Sequence, residues 1–201
     1  MKLSKEFYLD TDVVAIARKL IGKYLFTEIA GILTGGIITE TEAYAGETDK
    51  ASHAYGGRRT SRTEIMYHEG GQSYVYLCYG IHSLFNVVTN KENIPHAVLI
   101  RAVFPVEGLS EILARRKNNK LLPSKLIIGP GNVAQAFGIH YSDTGKSLLG
   151  TEIWIEDRSI KIPKSAIISG PRIGVDYAGA DALLPYRFSV SHSLCIDFKS
   201  E

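Results

Sequence analysis

Two carboxylates stand two positions apart in an apolar stretch of this 201-residue chain, in the run Glu40-Thr-Glu42-Ala-Tyr44. Successive side chains of a β-strand point to opposite faces, so Glu40, Glu42 and Tyr44 would share one face of a strand. A carboxylate that stays ionised beside an electrophilic carbon can accept a proton from an attacking water. The same pattern also suits an ordinary solvated sheet face, and the spacing does not distinguish a reactive glutamate from a structural one.

The window between residues 44 and 79 combines aromatic and basic side chains with glycines. It contains Tyr44, Tyr55, Tyr67, Tyr74, Tyr76, Tyr79, His53, His68, Arg58, Arg59 and Arg62. Tyrosines in strands are often half-buried packing residues. Aromatic rings interleaved with arginines beside a glycine-rich passage are, however, what base stacking and phosphate neutralisation require. The combination favours a nucleic-acid-binding protein.

Other kinds of site lack their usual signatures. His53, His68 and His82 form no HxxxH element, and Cys78 and Cys195 form no CxxC pair, so we expect no metal and a reduced intracellular protein. The chain also lacks GxxxxGK[ST] and a GxGxxG motif after a strand, which argues against nucleotide-dependent chemistry. No GxSxG element is present, although composition leaves a Ser-His-Asp hydrolase open.

Length and charge set broad limits. A chain of this length fits one domain, residues 1–201, and a formal charge of +2 is too mild to identify a nucleic-acid binder. Residues 1–9 mix Lys2, Lys5 and Glu6 with apolar side chains and lack the apolar core of a signal peptide. No run approaches the roughly 18 apolar residues of a membrane span. We expect a cytoplasmic monomer with no membrane partner.

The elements that position these side chains are mostly strands. Alternation and β-branched or aromatic runs predict strands over residues 23–29, 36–44, 73–79, 84–89, 95–103, 153–155, 173–175 and 188–190. The third and fourth form a hairpin around Gly80-Ile81-His82-Ser83, which places Tyr79 near its tip. A long polar passage over residues 45–71 is typical of a functional loop.

Three helices complete the prediction. The first covers residues 14–21, is capped by Asp10 or Thr11 and ends at Gly22. The others cover residues 107–117, ended by Asn118-Asn119, and residues 132–137, after Gly129-Pro130-Gly131. Helices and antiparallel strands mix without a regular βαβ order, so the predicted fold class is α+β.

Ordered motifs along nearly the whole chain resemble the alkyladenine (3-methyladenine) DNA glycosylase family. They are Glu40-Thr-Glu42-Ala-Tyr44-Ala-Gly46, Ala51-Ser-His53, Gly56-Gly-Arg58, Tyr74-Val-Tyr76, Tyr79-Gly80, Asn86, Leu99-Ile-Arg101-Ala, Gly129-Pro-Gly131-Asn-Val-Ala-Gln135-Ala, Arg172-Ile-Gly174-Val and Pro185-Tyr-Arg187-Phe188. The resemblance implies a single α+β domain around a curved, mainly antiparallel sheet, with surrounding helices and a hairpin that enters the minor groove of DNA.

The implied activity is that of a monofunctional DNA repair glycosylase. Such an enzyme flips an alkylated or deaminated purine, such as 3-methyladenine, 7-methylguanine, hypoxanthine or ethenoadenine, out of double-stranded DNA and hydrolyses its N-glycosidic bond, leaving an abasic site. The resemblance implies no metal or other cofactor, and it places the protein on damaged DNA in the nucleoid. No lysine occurs in residues 40–44 or 74–86 to form a Schiff base.

The resemblance also assigns roles to individual positions. Glu42, rather than Glu40, matches the catalytic base, and Arg101 helps to orient its water. The base pocket is formed by Tyr44, His53, Tyr76, Asn86 and Ile173, with Asn86 crowding the exocyclic amine of guanine. Positions matching DNA contacts are the intercalating Tyr79 and Arg58, Thr60, Arg62, Met66, Tyr74 and Gly174.

Some points stay open at this stage. Thr60-Ser61-Arg62-Thr63 departs from the family's Thr-Pro-Arg-Asn, which leaves the path of this loop undetermined, and His53 is only a candidate proton donor for neutral lesions. Two rival functions remain: a catalytically silent protein that binds distorted DNA, and a hydrolase or transferase that acts on another ligand. The intact Glu42 and Arg101 favour catalysis, and release of a free base from alkylated DNA would discriminate against both rivals.

Overall fold

The computed structural model describes residues 1–117 and 127–191. Its helices are α1 (Lys5–Tyr8), α2 (Val13–Leu20), α3 (Leu109–Arg116) and α4 (Pro130–Ala136). Its strands are β1 (Tyr24–Ile29), β2 (Ile32–Tyr44), β3 (Ser73–Cys78), β4 (His82–Thr89), β5 (His96–Glu107), β6 (Ile127–Ile128), β7 (Ile153–Glu156), β8 (Ile167–Gly170) and β9 (Arg187–Val190). Across these two ranges, no helix has the length and apolar character needed to cross a membrane.

All the strands belong to one curled antiparallel sheet. The main path runs β3-β4-β5-β2-β1-β7, while β6 pairs with β5, β9 pairs with β2, and β8 pairs with β9. The α+β fold class is therefore confirmed. The two longest strands, β2 and β5, lie together at the centre, and β2 carries both glutamates.

Two bulges interrupt the pairing of β2 with β5 beside these glutamates. Ile38 faces Val103 and Glu40 faces Ala102, so Thr39 is an extra residue on β2. Thr41 then faces Ile100, which makes Arg101 an extra residue on β5. A bulged residue leaves the regular alternation and its side chain is turned in a new direction. Arg101 can therefore approach both Glu40 and Glu42.

The helix α2 packs against this central region and holds it in place. Its apolar face buries Val13, Ile16, Ala17 and Leu20. The Thr41 hydroxyl also donates to the Ala17 carbonyl at 2.8 Å. The packing of α2, the antiparallel pairing and the bulges together determine the position of the segment that carries Glu40 and Glu42.

The cap of α2 was predicted wrongly. Asp12 is the N-cap, and its carboxylate accepts the Ala15 N–H at 2.9 Å. Asp10 instead accepts the Asp12 N–H and pairs with Lys19, so neither it nor Thr11 caps the helix. The predicted end was right, because Gly22 takes a φ of +84° just beyond the last turn.

Other boundaries also differ from the prediction. Residues 173–175 form a bend rather than a strand, with Gly174 at a φ of +76°, a conformation that ends strand pairing. The strand β5 continues to Glu107, so the next helix begins later, after Gly108. Short elements such as α1, β6 and β8 were missed. Asn118-Asn119, the predicted end of this helix, lies outside the described residues, and so does Cys195.

The polar passage over residues 45–71 is more ordered than a simple loop. It contains three 3-10 turns, Gly46–Thr48, Tyr55–Gly57 and Glu64–Tyr67. The Thr63 hydroxyl donates to the Arg58 carbonyl and accepts the Thr60 N–H. These bonds fix the path of the segment that departs from the family's sequence.

Candidate active site

A cavity of about 290 Å³ opens between the β3–β4 hairpin, the central strands and the segment around residue 174. Among its lining residues are ten of the predicted site residues: Tyr44, His53, Met66, Tyr74, Tyr76, Tyr79, Asn86, Arg101, Ile173 and Gly174. Glu42, Arg58, Thr60 and Arg62 do not line it. The structure therefore brings most of the predicted site together around one opening.

Glu42 lies directly behind the wall of this cavity and is fully buried. Its Oε1 accepts the Ile173 N–H at 2.8 Å, and its Oε2 accepts the Tyr44 hydroxyl at 2.8 Å. Arg101 lies 3.4 Å from the carboxylate. Burial raises the pKa of Glu42, while Arg101, the Ile173 N–H and the Tyr44 hydroxyl act in the opposite direction. The site thus combines a desolvated carboxylate with donors that support its ionised form.

Glu40 has a different set of partners. Its Oε1 is 3.4 Å from Arg101 Nε and 3.0 Å from Arg187 Nη1. Within the described chain it forms no hydrogen bond with the cavity-lining Tyr44 or Ile173. Arg101, which lines the cavity, therefore bridges the two carboxylates, but of the two glutamates only Glu42 also bonds to Tyr44 and Ile173 of the cavity wall.

Tyr44 packs against a buried ion pair, Asp49–Arg172, that sequence analysis did not identify. The guanidinium of Arg172 lies 4.9 Å from the centre of the Tyr44 ring. Both of its Nη atoms bond to the Asp49 carboxylate, and Nη1 also donates to the Ala43 carbonyl. Arg172 directly precedes Ile173 in the chain. The Asp49–Arg172 pair thus supports two of the groups that bond to Glu42, the Tyr44 hydroxyl and the Ile173 N–H.

Three aromatic rings form a second wall. The His53 ring centre lies 4.6 Å from that of Tyr76 in an edge arrangement, and the Tyr74 and Tyr76 rings lie 5.4 Å apart. His53 Nδ1 is 2.8 Å from the Tyr74 hydroxyl oxygen. Burial and two arginines, Arg62 and Arg58, lower the pKa of His53 to about 4. At neutral pH this wall carries no charge on its imidazole.

Asn86 lies on β4 between Tyr74 on one side and Leu99 on the other. Its Nδ2 donates to the carbonyls of Tyr74 and Leu84, at 3.1 and 3.2 Å. These two acceptors fix the orientation of a buried amide that lines the cavity. The cavity therefore has a polar group of fixed orientation at this position.

Tyr79 stands at the end of the β3–β4 hairpin and is 92% exposed. Tyr79 and Gly80 both take positive φ, of +51° and +73°, and the Ile81 N–H returns to the Cys78 carbonyl. Positive φ at both central residues is the requirement of a type I′ turn, and a tyrosine there is strained. Ile81, which sequence analysis did not single out, is 71% exposed beside it. The tip therefore presents two apolar side chains to solvent.

The three arginines of residues 58–62 have separate roles. Arg59 is bound by the Glu64 carboxylate and Asn93 Oδ1, and it lies over the Tyr67 ring. Arg62 contacts His53 and Tyr76, whereas Arg58 and Thr60 are exposed outside the cavity. This segment therefore presents Arg58 and Arg62 beside the cavity entrance.

Tyr177 is a cavity residue that the sequence analysis did not identify. It is 71% exposed, lines the cavity, and donates from its hydroxyl to the Ala51 carbonyl at 3.2 Å. Only its position three residues beyond Gly174 could have drawn attention to it. As for metals, the described parts of the chain contain no group of three or more His, Cys, Asp or Glu arranged to hold an ion.

Known proteins match this chain over nearly its full length. The family profile described as Methylpurine-DNA glycosylase (MPG) matches residues 6–194. A protein of Chlamydia felis named "Putative 3-methyladenine DNA glycosylase" is 46% identical over 187 residues, covering 92% of this chain and 94% of the relative.

Two further relatives carry the same name. The protein of Chlamydia pneumoniae is 43% identical, covering 94% of this chain and 95% of its own, and that of Clostridium acetobutylicum is 40% identical, covering 98% and 97%. Identity of this extent over aligned full lengths confirms the resemblance drawn from the motifs. The chain belongs to the methylpurine-DNA glycosylase family, DNA repair enzymes that hydrolyse N-glycosyl bonds.

Proposed function

We propose that this glycosylase flips alkylated or deaminated purines out of duplex DNA into the cavity and hydrolyses their N-glycosidic bond with a water activated by Glu42. The observation that carries the proposal is a buried carboxylate placed directly behind an aromatic cavity, with hydrogen bonds to both Tyr44 and Ile173 of its wall. Binding of distorted DNA alone would not require such a group. The substrates are 3-methyladenine, 7-methylguanine, hypoxanthine and ethenoadenine.

The cavity walls suit an electron-poor purine. The rings of Tyr44, Tyr76 and His53 all line the cavity, so a flat ring can stack on aromatic faces. A cationic ring on such a face gains roughly 0.5–2 kcal/mol. The Tyr44 hydroxyl donates to the Glu42 carboxylate, which increases electron density in the Tyr44 ring. Alkylated purines that carry a positive charge are therefore favoured over normal bases.

The chemical step is the departure of the base followed by capture of the sugar by water. As the bond to C1′ breaks, the sugar acquires oxocarbenium character, and the negative charge of Glu42 stabilises it. Glu42 also accepts the proton of the attacking water, while Arg101 keeps the carboxylate in place. 3-Methyladenine and 7-methylguanine leave as neutral bases without an acid. Neutral lesions such as hypoxanthine need protonation of the ring from another source.

The same geometry supports a monofunctional enzyme. A strand-cleaving glycosylase requires an amine that forms a Schiff base with the sugar. The cavity of the described chain is lined by no lysine. Water is therefore the proposed nucleophile, with an intact strand and an abasic site as the product. We propose that the enzyme acts as a monomer on double-stranded DNA in the nucleoid.

The proposal is tested with four otherwise identical duplexes, each carrying one of the lesions. We expect release of the free modified base from each, with an alkali-labile strand left behind and no release from the undamaged duplex. Binding to the lesion duplexes without release of any base would instead indicate a silent damage-binding protein, and the proposed hydrolysis would be wrong.

The exposed hairpin tip gives a second prediction. Tyr79 would fill the gap that the flipped nucleotide leaves in the duplex, and unstacking costs a few kcal/mol. Tyr79→Ala should therefore lower single-turnover excision at least about tenfold without lowering the melting temperature. Tyr141→Ala is the matched control, because Tyr141 is an exposed tyrosine that lines no described cavity. Equal excision by both variants would remove Tyr79 from the flipping step.

A further inference from the structure

Arg62 lies against the aromatic wall of the cavity. Its Nη2 is 3.2 Å from His53 Nε2, and its guanidinium carbon lies 4.9 Å from the centre of the Tyr76 ring. A guanidinium is always a donor and has no lone pair to offer. His53 Nε2 must therefore be the acceptor of this bond and carries no proton.

The other side of the imidazole completes the assignment. With Nε2 unprotonated, the proton of a neutral imidazole is on Nδ1. His53 Nδ1 is 2.8 Å from the Tyr74 hydroxyl oxygen, which can accept that proton's hydrogen bond. Both ring nitrogens thus have a partner that suits the Nδ1-protonated tautomer. Neither nitrogen is then available to donate a proton to a bound base.

We propose that Arg62 is a positioning residue that fixes His53 as a neutral imidazole protonated on Nδ1, and that the enzyme thereby favours cationic over neutral purines. The effect on catalysis rests on the proposed function, but the tautomer of His53 is a property of the protein without DNA and can be measured there. His53 then stacks against the base and supplies no proton to it. A cationic purine needs none, whereas a neutral purine loses a possible acid.

The surroundings of His53 support this assignment. The groups that face it are Arg58 and Arg62 from the loop, and Tyr74 and Tyr76 from β3. Burial, then Arg62, then Arg58 lower the pKa of His53. Arg62 is the group that both adds positive charge and occupies a ring nitrogen, so its removal should affect the tautomer as well as the pKa.

The first test is spectroscopic and uses the free protein with ¹⁵N-labelled histidine. In the wild type we expect long-range ¹H–¹⁵N correlations of a neutral ring with Nδ1 protonated at pH 7. In Arg62→Met the Nε2-protonated form should appear and the pKa of His53 should rise. Arg58→Met is the matched control, since it removes a nearby charge but no bond to His53, and Arg62→Lys should restore the wild-type tautomer. A wild-type ring protonated on Nε2 would overturn the proposal.

The second test compares excision of hypoxanthine with that of 7-methylguanine, each in single turnover at saturating enzyme. In the ratio of the two excision rates, the contributions of Glu42 and of the DNA contacts cancel because both reactions share them. At pH 6, Arg62→Met should raise the hypoxanthine to 7-methylguanine ratio at least about tenfold over both the wild type and Arg58→Met, because a His53 ring with its proton on Nε2 can assist the departure of a neutral base, whereas a cationic base needs no such help. An unchanged ratio would contradict the role in specificity. Failure of the wild type to release either base would instead refute the proposed function. The spectroscopic test of the His53 tautomer does not depend on that outcome.

Discussion

Glu42→Gln should slow single-turnover excision of 3-methyladenine at least about a hundredfold. Glutamine keeps the size of the side chain and an oxygen that can accept the Ile173 N–H or the Tyr44 hydroxyl. It cannot accept the proton of water or offset the positive charge of the sugar. The loss should therefore appear in the chemical step, while affinity for damaged DNA is retained or increased, because a negative charge near the phosphates has been removed.

Glu40→Gln is the matched control for this prediction. Glu40 lies two residues away on the same strand and shares Arg101 with Glu42, but its second partner is Arg187. Its replacement should have a far smaller effect on the excision rate. The opposite order, with Glu40→Gln inactive and Glu42→Gln close to the wild type, would show that the wrong carboxylate has been assigned.

The pH dependence of the same reaction follows from the environment of Glu42. Burial raises the pKa of this group above its usual value of 4.5, and only the ionised form can act as a base. The single-turnover rate for 7-methylguanine should therefore fall as the pH decreases through this raised pKa, at a higher pH than an exposed glutamate would give. In Glu42→Gln this acid limb should be absent.

Asp49→Ala should lower the free energy of unfolding by about 3–5 kcal/mol, or the melting temperature by roughly 6–20 °C. The substitution leaves the buried Arg172 guanidinium without its carboxylate partner. It also removes the acceptor of the Ala45 and Ala51 N–H groups. Because Arg172 supports Tyr44 and precedes Ile173, excision should fall even at temperatures where the variant is folded.

Glu64→Ala provides the comparison, measured by the same thermal and urea denaturation followed by circular dichroism. The Arg59–Glu64 pair has similar bidentate geometry but is exposed, so water and salt screen it. Its loss should leave the unfolding free energy nearly unchanged. If Asp49→Ala proved no more destabilising than Glu64→Ala, the Asp49–Arg172 pair would not be the support of the site described above.

Much of the fold could be predicted from local patterns. Alternation correctly placed Glu42 and Tyr44 on one face, which their 2.8 Å hydrogen bond now shows, and the hairpin pattern placed Tyr79 at its tip. Alternation failed where glycine decided the conformation, as at residues 173–175, where Gly174 takes a positive φ. The bend leaves the Ile173 N–H free of strand pairing, and it bonds to Glu42 instead.

The site was less accessible to sequence reasoning than the fold. Period-two alternation cannot reveal that Arg101 is an extra, bulged residue, because the bulge depends on the register of two strands that are about 60 residues apart in the chain. Asp49 and Arg172 are 123 positions apart, and no local pattern links them. The choice of Glu42 over Glu40 came from the family resemblance alone. The structure adds the physical difference between them: both pair with Arg101, but only Glu42 also bonds to Tyr44 and Ile173 of the cavity wall.

The most direct test of water as the nucleophile is a borohydride reaction with active enzyme on a 7-methylguanine duplex under single-turnover conditions. If Glu42 activates water, the free base is released at the enzymatic rate, the strand stays intact until alkali is added, and borohydride traps no protein–DNA adduct. A trapped adduct formed at the rate of base release would show that an amine of the protein attacks the sugar, and it would contradict hydrolysis by a water bound at Glu42.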